Sequence, residues 1–467
     1  MTAPRPDTLV QRLDPSHDLP RGLRALADAL LALPEAPGRL RRIEAPLTRD
    51  VDPADLPAGL PAGRLDPVML LGRTWSGAGA TLEHEAGSLA GLGAPAALLA
   101  DHGWPAGAPE LRLALSARFD QDRDAAPEWS AFGACRVWLP TVELDTDAGL
   151  LAVNWLDGGG RDRRAVAGAL QAWRPHAGRT PGPVTWRGDH RARARWCDQV
   201  DRALARIADR DTLPPLSKIV LARRLDGDAD QTVDAVDLLR ARGAGSVGWP
   251  WLLRRGDATW LGESPEQLGV RDGRRLGTVA LAGTRLRGAD AASDHALELE
   301  LLRSDKDRRE QAAVADWIGG RLEQITGHRP ATGPLQVVKL PSLQHLGRRL
   351  DVTLEEGAPD RAWLDALHPT PALCGAPRVD VRRWLRDAED FDRGLYGGVL
   401  GWLQPSRAEM YVTIRGALVR DRQVSVYAGA GVVEGSEPAA EWAETGAKLA
   451  AVCRRLGLAP TPSEDPS

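Results

Sequence analysis

Residues 427–449 read YAGAGVVEGSEPAAEWAETGAKL and join a glycine-rich strand directly to a helix. Gly429 and Gly431 alternate along the strand, where the absence of a side chain lets a ligand approach the backbone and bind its N–H groups. The GxGxxxG spacing that Gly435 completes differs from the GxGxxG of dinucleotide-binding loops, and no Walker lysine accompanies it. The stretch therefore predicts an anion site of another kind at a strand–helix junction.

The helix that follows carries charged side chains on one face. Glu441, Glu444 and Lys448 recur at helical spacing, and Ser436 is predicted to be the N-cap. Acidic residues in a first turn also complement the helix dipole without any further role. The pattern by itself therefore leaves a solvated helix end and a functional carboxylate cluster as alternatives.

A second helix is predicted from the apolar stripe of Val314, Ile318 and Leu322 in SDKDRREQAAVADWIGGRLEQI. One turn earlier the same stripe reaches Glu310, and a carboxylate that extends a buried face needs a partner. The alternative is a glutamate paired with the nearby arginines. Two such carboxylate helices would suit Mg²⁺, which binds one or two protein carboxylates and an anionic substrate.

Bulk composition narrows the class of protein. The chain has 467 residues, 43% of them hydrophobic and 27% charged, with a formal net charge of -4. This balance is typical of a soluble globular protein and favours neither nucleic acid nor an anionic membrane as partner. The four cysteines lie far apart without a CxxC pair, which argues against a zinc site and a disulfide framework. With no signal-peptide core and no long apolar run, we expect a cytoplasmic protein.

The pattern of short strands and long helices predicts a mixed fold. Segments such as WPWLLRRG, ATWLGES, EMYVTIRGALV and QVSVYAGAG indicate strands close together in sequence, which favours antiparallel pairing. Regular βαβα alternation is lacking, so a doubly wound sheet and a TIM barrel are not predicted. The clearest break, rich in proline and glycine, covers residues 175–189.

Two further residues are candidates for proton transfer. Lys218 in SKIVLARR alternates with small apolar residues along a predicted strand, where a lysine either protects a sheet edge or serves as a buried base. Glu266 follows a Ser-Pro turn in LGESPEQLGV, a place where most glutamates are simply exposed. Neither residue type settles its role alone.

Taken in order, these segments resemble the chorismate-utilising enzymes, a family that includes isochorismate, salicylate, anthranilate and aminodeoxychorismate synthases. The matching stretches, between about residues 191 and 456, are SKIVLARR, WLGESPEQLGV, VALAGTRLRG, SDKDRREQ, LPSLQHLGRRL, HPTPALCGAPR, LYGGVLGWL, YVTIRGALV and YAGAGVVEGSEPAAEWAETGAK. The resemblance implies one large α/β (α+β) fold, with curved β-sheets packed in the core and helices around them. It implies that residues 1–190 contribute to the same fold, that 191–460 form the chorismate-binding catalytic region, and that 461–467 are a disordered tail.

The resemblance also assigns roles to residues. It makes Glu310 and Glu444 ligands of Mg²⁺, with Glu441 close by, and it places His345 near the reacting ring. The contacts it implies for the carboxylates of chorismate are Gly283, Thr284, Tyr396, Arg415, the backbone of Gly429, Ala430 and Gly431, and Lys448.

Details of the motifs distinguish reactions within the family. Aminodeoxychorismate synthases carry a nucleophilic lysine where this chain has Ala282, in ALAGT, which argues against covalent catalysis. ALAGT and PALCGAPR resemble the isochorismate synthases instead. In that reaction Lys218 is expected to activate water for attack at C2, and Glu266 to protonate the departing C4 hydroxyl. The mechanism requires a neutral lysine and a protonated glutamate near pH 7.

Alternatives remain open on the sequence. A salicylate synthase, which eliminates pyruvate after forming isochorismate, shares most of these motifs, and a chorismate-binding protein without catalysis is a further possibility. An anthranilate synthase would need a glutaminase subunit, and no such partner is expected. The chain departs from the family pattern at Asp307, at Ala447 and at Glu263, which lies close to the expected acid.

Overall fold

The computed structural model describes residues 9–14, 18–47, 51–61, 65–105, 107–188, 190–241, 248–339 and 343–458, apart from the side chains of Thr284, Leu286 and Leu343. The expected tail, 461–467, lies outside these ranges. No helix in the described ranges is both long and apolar enough to cross a membrane.

Strands and helices alternate irregularly along the described chain. The strands are β1 Val10–Arg12, β2 Leu40–Pro46, β3 Val68–Leu71, β4 Trp75–Ala78, β5 Leu82–Ala86, β6 Leu113–Ala117, β7 Cys135–Leu139, β8 Val142–Asp145, β9 Leu150–Leu156, β10 Val184–Trp186, β11 Lys218–Ala229, β12 Trp249–Arg255, β13 Ala258–Ser264, β14 Gln267–Asp272, β15 Arg275–Leu286, β16 Ala331–Thr332, β17 Gln336–Lys339, β18 Leu343–Thr353, β19 Gly375–Ala376, β20 Gly398–Leu403, β21 Arg407–Thr413, β22 Gly416–Arg420 and β23 Gln423–Val432. The helices are α1 Leu19–Ala32, α2 Asp55–Gly59, α3 Pro95–Ala100, α4 Arg163–Gln171, α5 Ala192–Ala208, α6 Ala235–Ala241, α7 Ala291–Arg303, α8 Asp305–Thr326, α9 Asp360–Leu367, α10 Arg378–Ala388 and α11 Pro438–Arg455.

Two large sheets form the framework. The first has the order β1-β2-β9-β8-β4-β3-β12-β13-β22-β23-β11-β10, and β19 adds to β11; the second has the order β16-β18-β15-β14-β21-β20-β6-β7-β5, and β17 adds to β18. Neighbouring strands run antiparallel except β1 and β2, which are parallel. Antiparallel sheets with helices packed outside them confirm the predicted α+β class.

Strands from both ends of the chain interleave in each sheet. β3 pairs with β12, β10 pairs with β11, and β6 pairs with β20. Residues before 190 are therefore built into the same two sheets as residues after it. The boundary of a catalytic region at residue 191 stays a prediction.

An aromatic cluster fills the space between the two sheets. Trp260 and Tyr427 come from the first sheet and Tyr411 from the second, and each is at most 1% exposed. The rings of Trp129 and Trp260 meet edge to face with centroids 5.4 Å apart, a favoured aromatic arrangement. These packed rings fix the positions of β13, β21 and β23 relative to one another.

Helices cover the outer faces of the sheets. Leu449 and Val452 of α11 join a core cluster on the first sheet, and Val314 and Ile318 of α8 join another on the second. The predicted apolar stripe of α8 is thus confirmed, and α11 buries residues that follow its charged first turns. The predicted N-cap was wrong, because α11 begins at Pro438 with Glu437 as its cap, while the Ser436 hydroxyl accepts the N–H of Val433.

The predicted strand EMYVTIRGALV is broken in two. β21 ends at Thr413 and β22 begins at Gly416. Between them Arg415 has φ +59°, a left-handed conformation that is uncommon for a residue with a side chain. Because β21 belongs to the second sheet and β22 to the first, this turn carries the chain from one sheet to the other.

Candidate active site

The site is built around the pairing of β11 with β23. Val220 lies opposite Gly431, and Ala222 lies opposite Gly429. Val220 donates its N–H to the carbonyl of Cys374, so that amide points away from β23. Facing residues of an antiparallel pair share this orientation, so the N–H groups of Gly429 and Gly431 point towards the opposite edge of β23. The pairing of β22 with that edge ends at Val426.

The glycines also make room for neighbouring side chains. A Cβ atom on Gly431 would lie 2.7 Å from Cε of Lys218, and one on Gly429 would lie 3.0 Å from the hydroxyl of Tyr396. Both separations are shorter than van der Waals contact allows. Ala430, between them, is 1% exposed and belongs to a buried apolar cluster that includes residues of α5 and α10. It can therefore offer only its backbone to a ligand.

Lys218 contacts the first of the predicted metal ligands. Its Nζ atom donates a 2.8 Å hydrogen bond to Oε1 of Glu310, and the two side chains are 14% and 36% exposed. The lysine begins β11, and the glutamate lies in the second turn of α8. Residues that sequence spacing could not relate are therefore direct neighbours.

Lys448 joins the glycine strand to the second carboxylate helix. Its Nζ atom lies 2.7 Å from the carbonyl oxygen of Gly429 and 2.7 Å from Oε1 of Glu444. One turn before Glu444, burial raises the pKa of Glu441, and the neighbouring Glu444 carboxylate adds to the rise. Lys306, at the start of α8, attracts Glu441 and opposes that rise. The first turns of α8 and α11 thus lie near each other.

These carboxylates have the chemistry of a Mg²⁺ site. Glu310, Glu441 and Glu444 supply only oxygen ligands, as Mg²⁺ prefers. Burial and, to a lesser extent, the charge of Glu444 raise the pKa of Glu441. In the described residues the three do not form a group whose ligand atoms all lie within 4.8 Å of one another. Two of them are held by lysines instead. The oxygen ligands suit Mg²⁺. The side chains of Glu310 and Glu444 nevertheless point to lysines and not to a shared ion position.

Glu266 faces the same region from the turn between β13 and β14. Its N–H donates to the hydroxyl of Ser264 at 3.1 Å, and its carbonyl accepts the N–H of Val412 at 3.0 Å, which fixes the backbone. Burial raises the pKa of the Glu266 carboxyl to about 7, while the positive charges of Arg415 and Lys218 lower it. The carboxyl is thus close to half protonated near neutral pH and electrostatically coupled to the lysine.

Arg415 and Tyr396 form one wall of the site. Burial lowers the pKa of Arg415, and the negative charges of Glu266 and Glu263 oppose that effect. Tyr396 is buried and stacks on Tyr427 with ring centroids 5.4 Å apart. Arg415 also has the left-handed backbone described above. At a non-glycine residue this conformation persists only where the surrounding structure holds it, often at functional sites.

His345, beside a bulge in β15, interacts electrostatically with Arg415 and Lys448. The register of β15 against β18 shifts at Gly283, between Ala282 and Thr284, and Thr284 pairs with His345. Burial, followed by the charges of Arg415 and Lys448, lowers the pKa of His345 to about 4. The side chain of Thr284 lies outside the described part, so its predicted substrate contact stays a prediction.

Asp307 occupies a defined place beside this bulge. Gly283 has φ +72°, and a Cβ atom on it would lie 2.9 Å from Cβ of Asp307. The carboxylate of Asp307 accepts a 2.8 Å bond from Arg285. The departure from the family pattern at this position therefore adds an ion pair that links α8 to β15.

Sequence reasoning missed the pair that supports the strand of Lys218. Arg393 is bonded to Glu389 and donates 2.6 Å and 3.0 Å hydrogen bonds to the carbonyls of Val220 and Leu373. Glu389 in turn accepts the N–H of Ala222 at 2.9 Å. The signal was available as an acid and an arginine four residues apart before LYGG, but only the fold shows that both are buried.

Comparisons with known proteins identify the family of the chain. The family described as chorismate binding enzyme matches residues 101–457. The chain is 32% identical over 366 residues to the chloroplastic isochorismate synthase of Catharanthus roseus, which covers 75% of this chain and 63% of that protein. It is 35% identical over 263 residues to isochorismate synthase EntC of Escherichia coli (strain K12), covering 55% of this chain and 67% of that one. The chain thus spans less than two thirds of the plant protein's length.

The fold itself is matched along nearly the whole chain. The structure of MenF, the menaquinone-specific isochorismate synthase from Escherichia coli, superposes with a TM-score of 0.78 at 26% identity. That superposition covers 94% of this chain and 100% of the other. The matched family accounts for most of the sequence and the superposition for nearly all of the fold, so the chain belongs to the family of chorismate binding enzymes.

Proposed function

We propose that the protein is an isochorismate synthase, which converts chorismate to isochorismate by adding water at C2 and losing the C4 hydroxyl. The observation that carries the proposal is the electrostatic coupling of Lys218 to Glu266, whose pKa is about 7. A base and an acid in one cleft are what this exchange of hydroxyl groups needs. Ala282, in ALAGT, offers no nucleophile for a covalent alternative.

The reaction uses the two groups in opposite directions. The Lys218 amine takes a proton from water as the water oxygen bonds to C2, and the ring double bonds shift. The C4–oxygen bond breaks as Glu266 gives its proton to the departing oxygen, which leaves as water. For this step Lys218 must be uncharged, because only the deprotonated amine has a lone pair that can accept a proton from water. Its hydrogen bond to Glu310 is donated through an N–H and orients the amine.

Positive charges and free amides on one side of the cleft suit the two carboxylates of chorismate. Arg415 and Lys448 supply the cations, and the outward N–H groups of Gly429 and Gly431 supply hydrogen-bond donors. Tyr396 adds a hydroxyl above Gly429. Several fixed donors hold a small dianion in one orientation, so that its ring meets the acid and the base.

Glu310 and Glu444, with Glu441 beside them, are the residues that would hold Mg²⁺. When bound there, the ion supplies positive charge that offsets a substrate carboxylate and orients it. Lys218 and Lys448 each contact one carboxylate oxygen of these residues, Oε1 of Glu310 and Oε1 of Glu444, and so hold the two side chains in place. Independence from a glutaminase subunit stays a prediction.

The test is to incubate the purified protein with chorismate and Mg²⁺ and to separate the products by chromatography. Isochorismate as the sole product, lost on adding a chelator, is the expected result. Formation of salicylate and pyruvate would reassign the chain to salicylate synthesis. Chorismate that binds but is not consumed would indicate a binding protein without catalysis.

A further inference from the structure

A second cluster of metal-ligating side chains lies in a different part of the fold. His176 belongs to the proline-rich segment 175–189, and Asp234 and Asp237 lie at the start of α6. Nε2 of His176 is 2.8 Å from Oδ1 of Asp237 and 3.7 Å from Oδ2 of Asp234. One imidazole nitrogen and two carboxylate oxygens of these residues all lie within 4.8 Å of one another. Within the described part of the chain, no other set of three such side chains is this close.

The spacing is close to that of a bound ion. Zinc bonds of about 2.0–2.2 Å to nitrogen and oxygen place tetrahedral ligands roughly 3.4 Å apart. The two separations from Nε2, 2.8 Å and 3.7 Å, lie on either side of that value, and the two carboxylate oxygens lie within 4.8 Å of each other. Shifts of under about 1 Å for each side chain would therefore form three bonds to one ion. Mixed imidazole and carboxylate ligands suit first-row transition metals, unlike the all-carboxylate set of Glu310, Glu441 and Glu444.

Two of the three side chains are largely buried, whereas that of Asp234 is 45% exposed. The side chain of Asp237 is 5% exposed, and its hydrogen-bond partner in the described residues is His176, which is 18% exposed. Two carboxylates beside one imidazole leave a negative charge even if the imidazole carries a proton. Arg254 attracts Asp234 but forms no hydrogen bond or ion pair within the described ranges. A divalent ion would balance the negative charge of both carboxylates, and the imidazole would then bind the ion as a neutral ligand.

The cluster opens onto a large cavity that would complete the coordination. His176, Asp234 and Asp237 line a cavity of about 810 Å³ between segment 174–182, the start of α6 and strands of the first sheet. Arg254 lines the same cavity. Three protein ligands with a fourth side open to water or a ligand are the arrangement of accessible zinc sites.

We propose that His176, Asp234 and Asp237 form a second metal site, which binds a divalent first-row transition ion such as Zn²⁺ and ties the segment 174–182 to α6. The site is separate from the carboxylates assigned to Mg²⁺ and does not depend on the proposed reaction. Its open position faces the cavity, where water or an anionic ligand beside Arg254 would occupy it.

The experiment uses the full chain carrying Glu310→Gln and Glu444→Gln, so that the carboxylates of the active site do not bind the probe. Co²⁺ is titrated while its visible absorption is recorded, and Zn²⁺ affinity is measured by displacement of Co²⁺. We expect one Co²⁺ per chain. Adding His176→Ala or Asp237→Asn should weaken binding at least 100-fold, since even the loss of an outer partner of a metal ligand costs about 10- to 100-fold.

Controls separate loss of a ligand from loss of the fold. His295→Ala removes a histidine that also lies beside a glutamate, at 3.4 Å from Glu298, but is 66% exposed, and it should leave Co²⁺ binding unchanged. In the otherwise unaltered chain, His176→Ala should keep chorismate turnover, which shows that the fold is intact. Equal Co²⁺ affinity with and without His176, or no saturable binding at all, would overturn the proposal whatever the catalytic assay shows.

Discussion

Lys218 and Glu310 lie 92 residues apart in sequence and 2.8 Å apart in space. The first is the proposed general base and the second a proposed ligand of the metal ion. The hydrogen bond therefore joins the proposed base directly to a proposed metal ligand, so a change at either residue should be felt by the other.

Replacement of Lys218 tests the proposed base directly. Lys218→Ala should lower kcat by about 10²- to 10⁴-fold, the usual contribution of a positioned base, and should leave chorismate binding measurable by calorimetry. Lys339→Ala is the matched control, because that lysine also pairs with carboxylates, those of Asp294 and Glu298, but lies on β17. Turnover near the original level in Lys218→Ala would remove the residue from the mechanism.

The raised pKa of Glu266 predicts how activity depends on pH. The acid must be protonated to donate, so kcat/KM should fall as pH rises through about 7. Glu266→Gln should lower kcat by about 10²- to 10⁴-fold, and its residual activity should lack this alkaline limb. A limb that persists unchanged in the variant would assign it to another group.

The same shift predicts a change in stability. The pKa of Glu266 rises from an ordinary 4.5 to about 7 on folding. Its contribution to stability is therefore complete below about pH 4.5 and is lost as pH rises through 7, where a charge is forced into a buried place. Glu266→Gln removes that penalty, so its Tm relative to the original protein should rise between pH 5 and pH 8. A constant difference in Tm would contradict a buried, titrating carboxyl.

Removal of the predicted metal ligands should weaken the response to Mg²⁺. Glu310→Gln and Glu444→Gln should each weaken Mg²⁺ binding by at least about tenfold, measured by calorimetry with chorismate present, and should lower kcat. Glu441→Gln should have a smaller effect if it acts through water. Glu434→Gln, in the loop before α11 and with a side chain 86% exposed, is the control. Equal Mg²⁺ affinity in all four variants would place the ion elsewhere.

The close approach of β23 to Lys218 can be tested at Gly431. A Cβ atom there would lie 2.7 Å from Cε of Lys218, so Gly431→Ala should displace the lysine. We expect kcat to fall by more than any accompanying loss of stability, measured as the change in Tm, would explain. Gly320→Ala is the matched control, since nothing lies within 4 Å of its added Cβ atom in the middle of α8. That change should stabilise the protein by up to about 1 kcal/mol with no effect on turnover. Full activity in Gly431→Ala would show that Lys218 is free to move aside.

His345 should stay neutral throughout the working range of pH. Burial, followed by the charge of Arg415, lowers its pKa to about 4 from an ordinary 6.5. Its stabilising contribution is therefore present above about pH 6.5 and is lost as pH falls towards 4. Nitrogen NMR of the labelled imidazole should show no titration between pH 5.5 and 8. A midpoint above pH 6 would mean that the ring is open to solvent and free to exchange protons during turnover.

Much of this protein could be predicted from its sequence, because local patterns carry local information. Apolar spacing predicted α8 and its buried face, the spacing of charged residues predicted α11, and the ordered motifs predicted the family and its α+β class. The glycines of β23 marked the place where backbone amides would be free. The same kind of reasoning was wrong about Ser436 and joined β21 to β22, because a cap and a turn depend on single dihedral angles.

The tertiary structure alone decided which groups meet and in what state. Lys218, Glu266, Glu310 and Lys448 come from four separate elements, and only the pairing of β11 with β23 and the packing of α8 and α11 bring them to one cleft. The pKa of Glu266 near 7 and that of His345 near 4 follow from burial, which sequence spacing does not measure. Charges depend on distance and on the surrounding protein, and both are set by contacts between residues far apart in the chain.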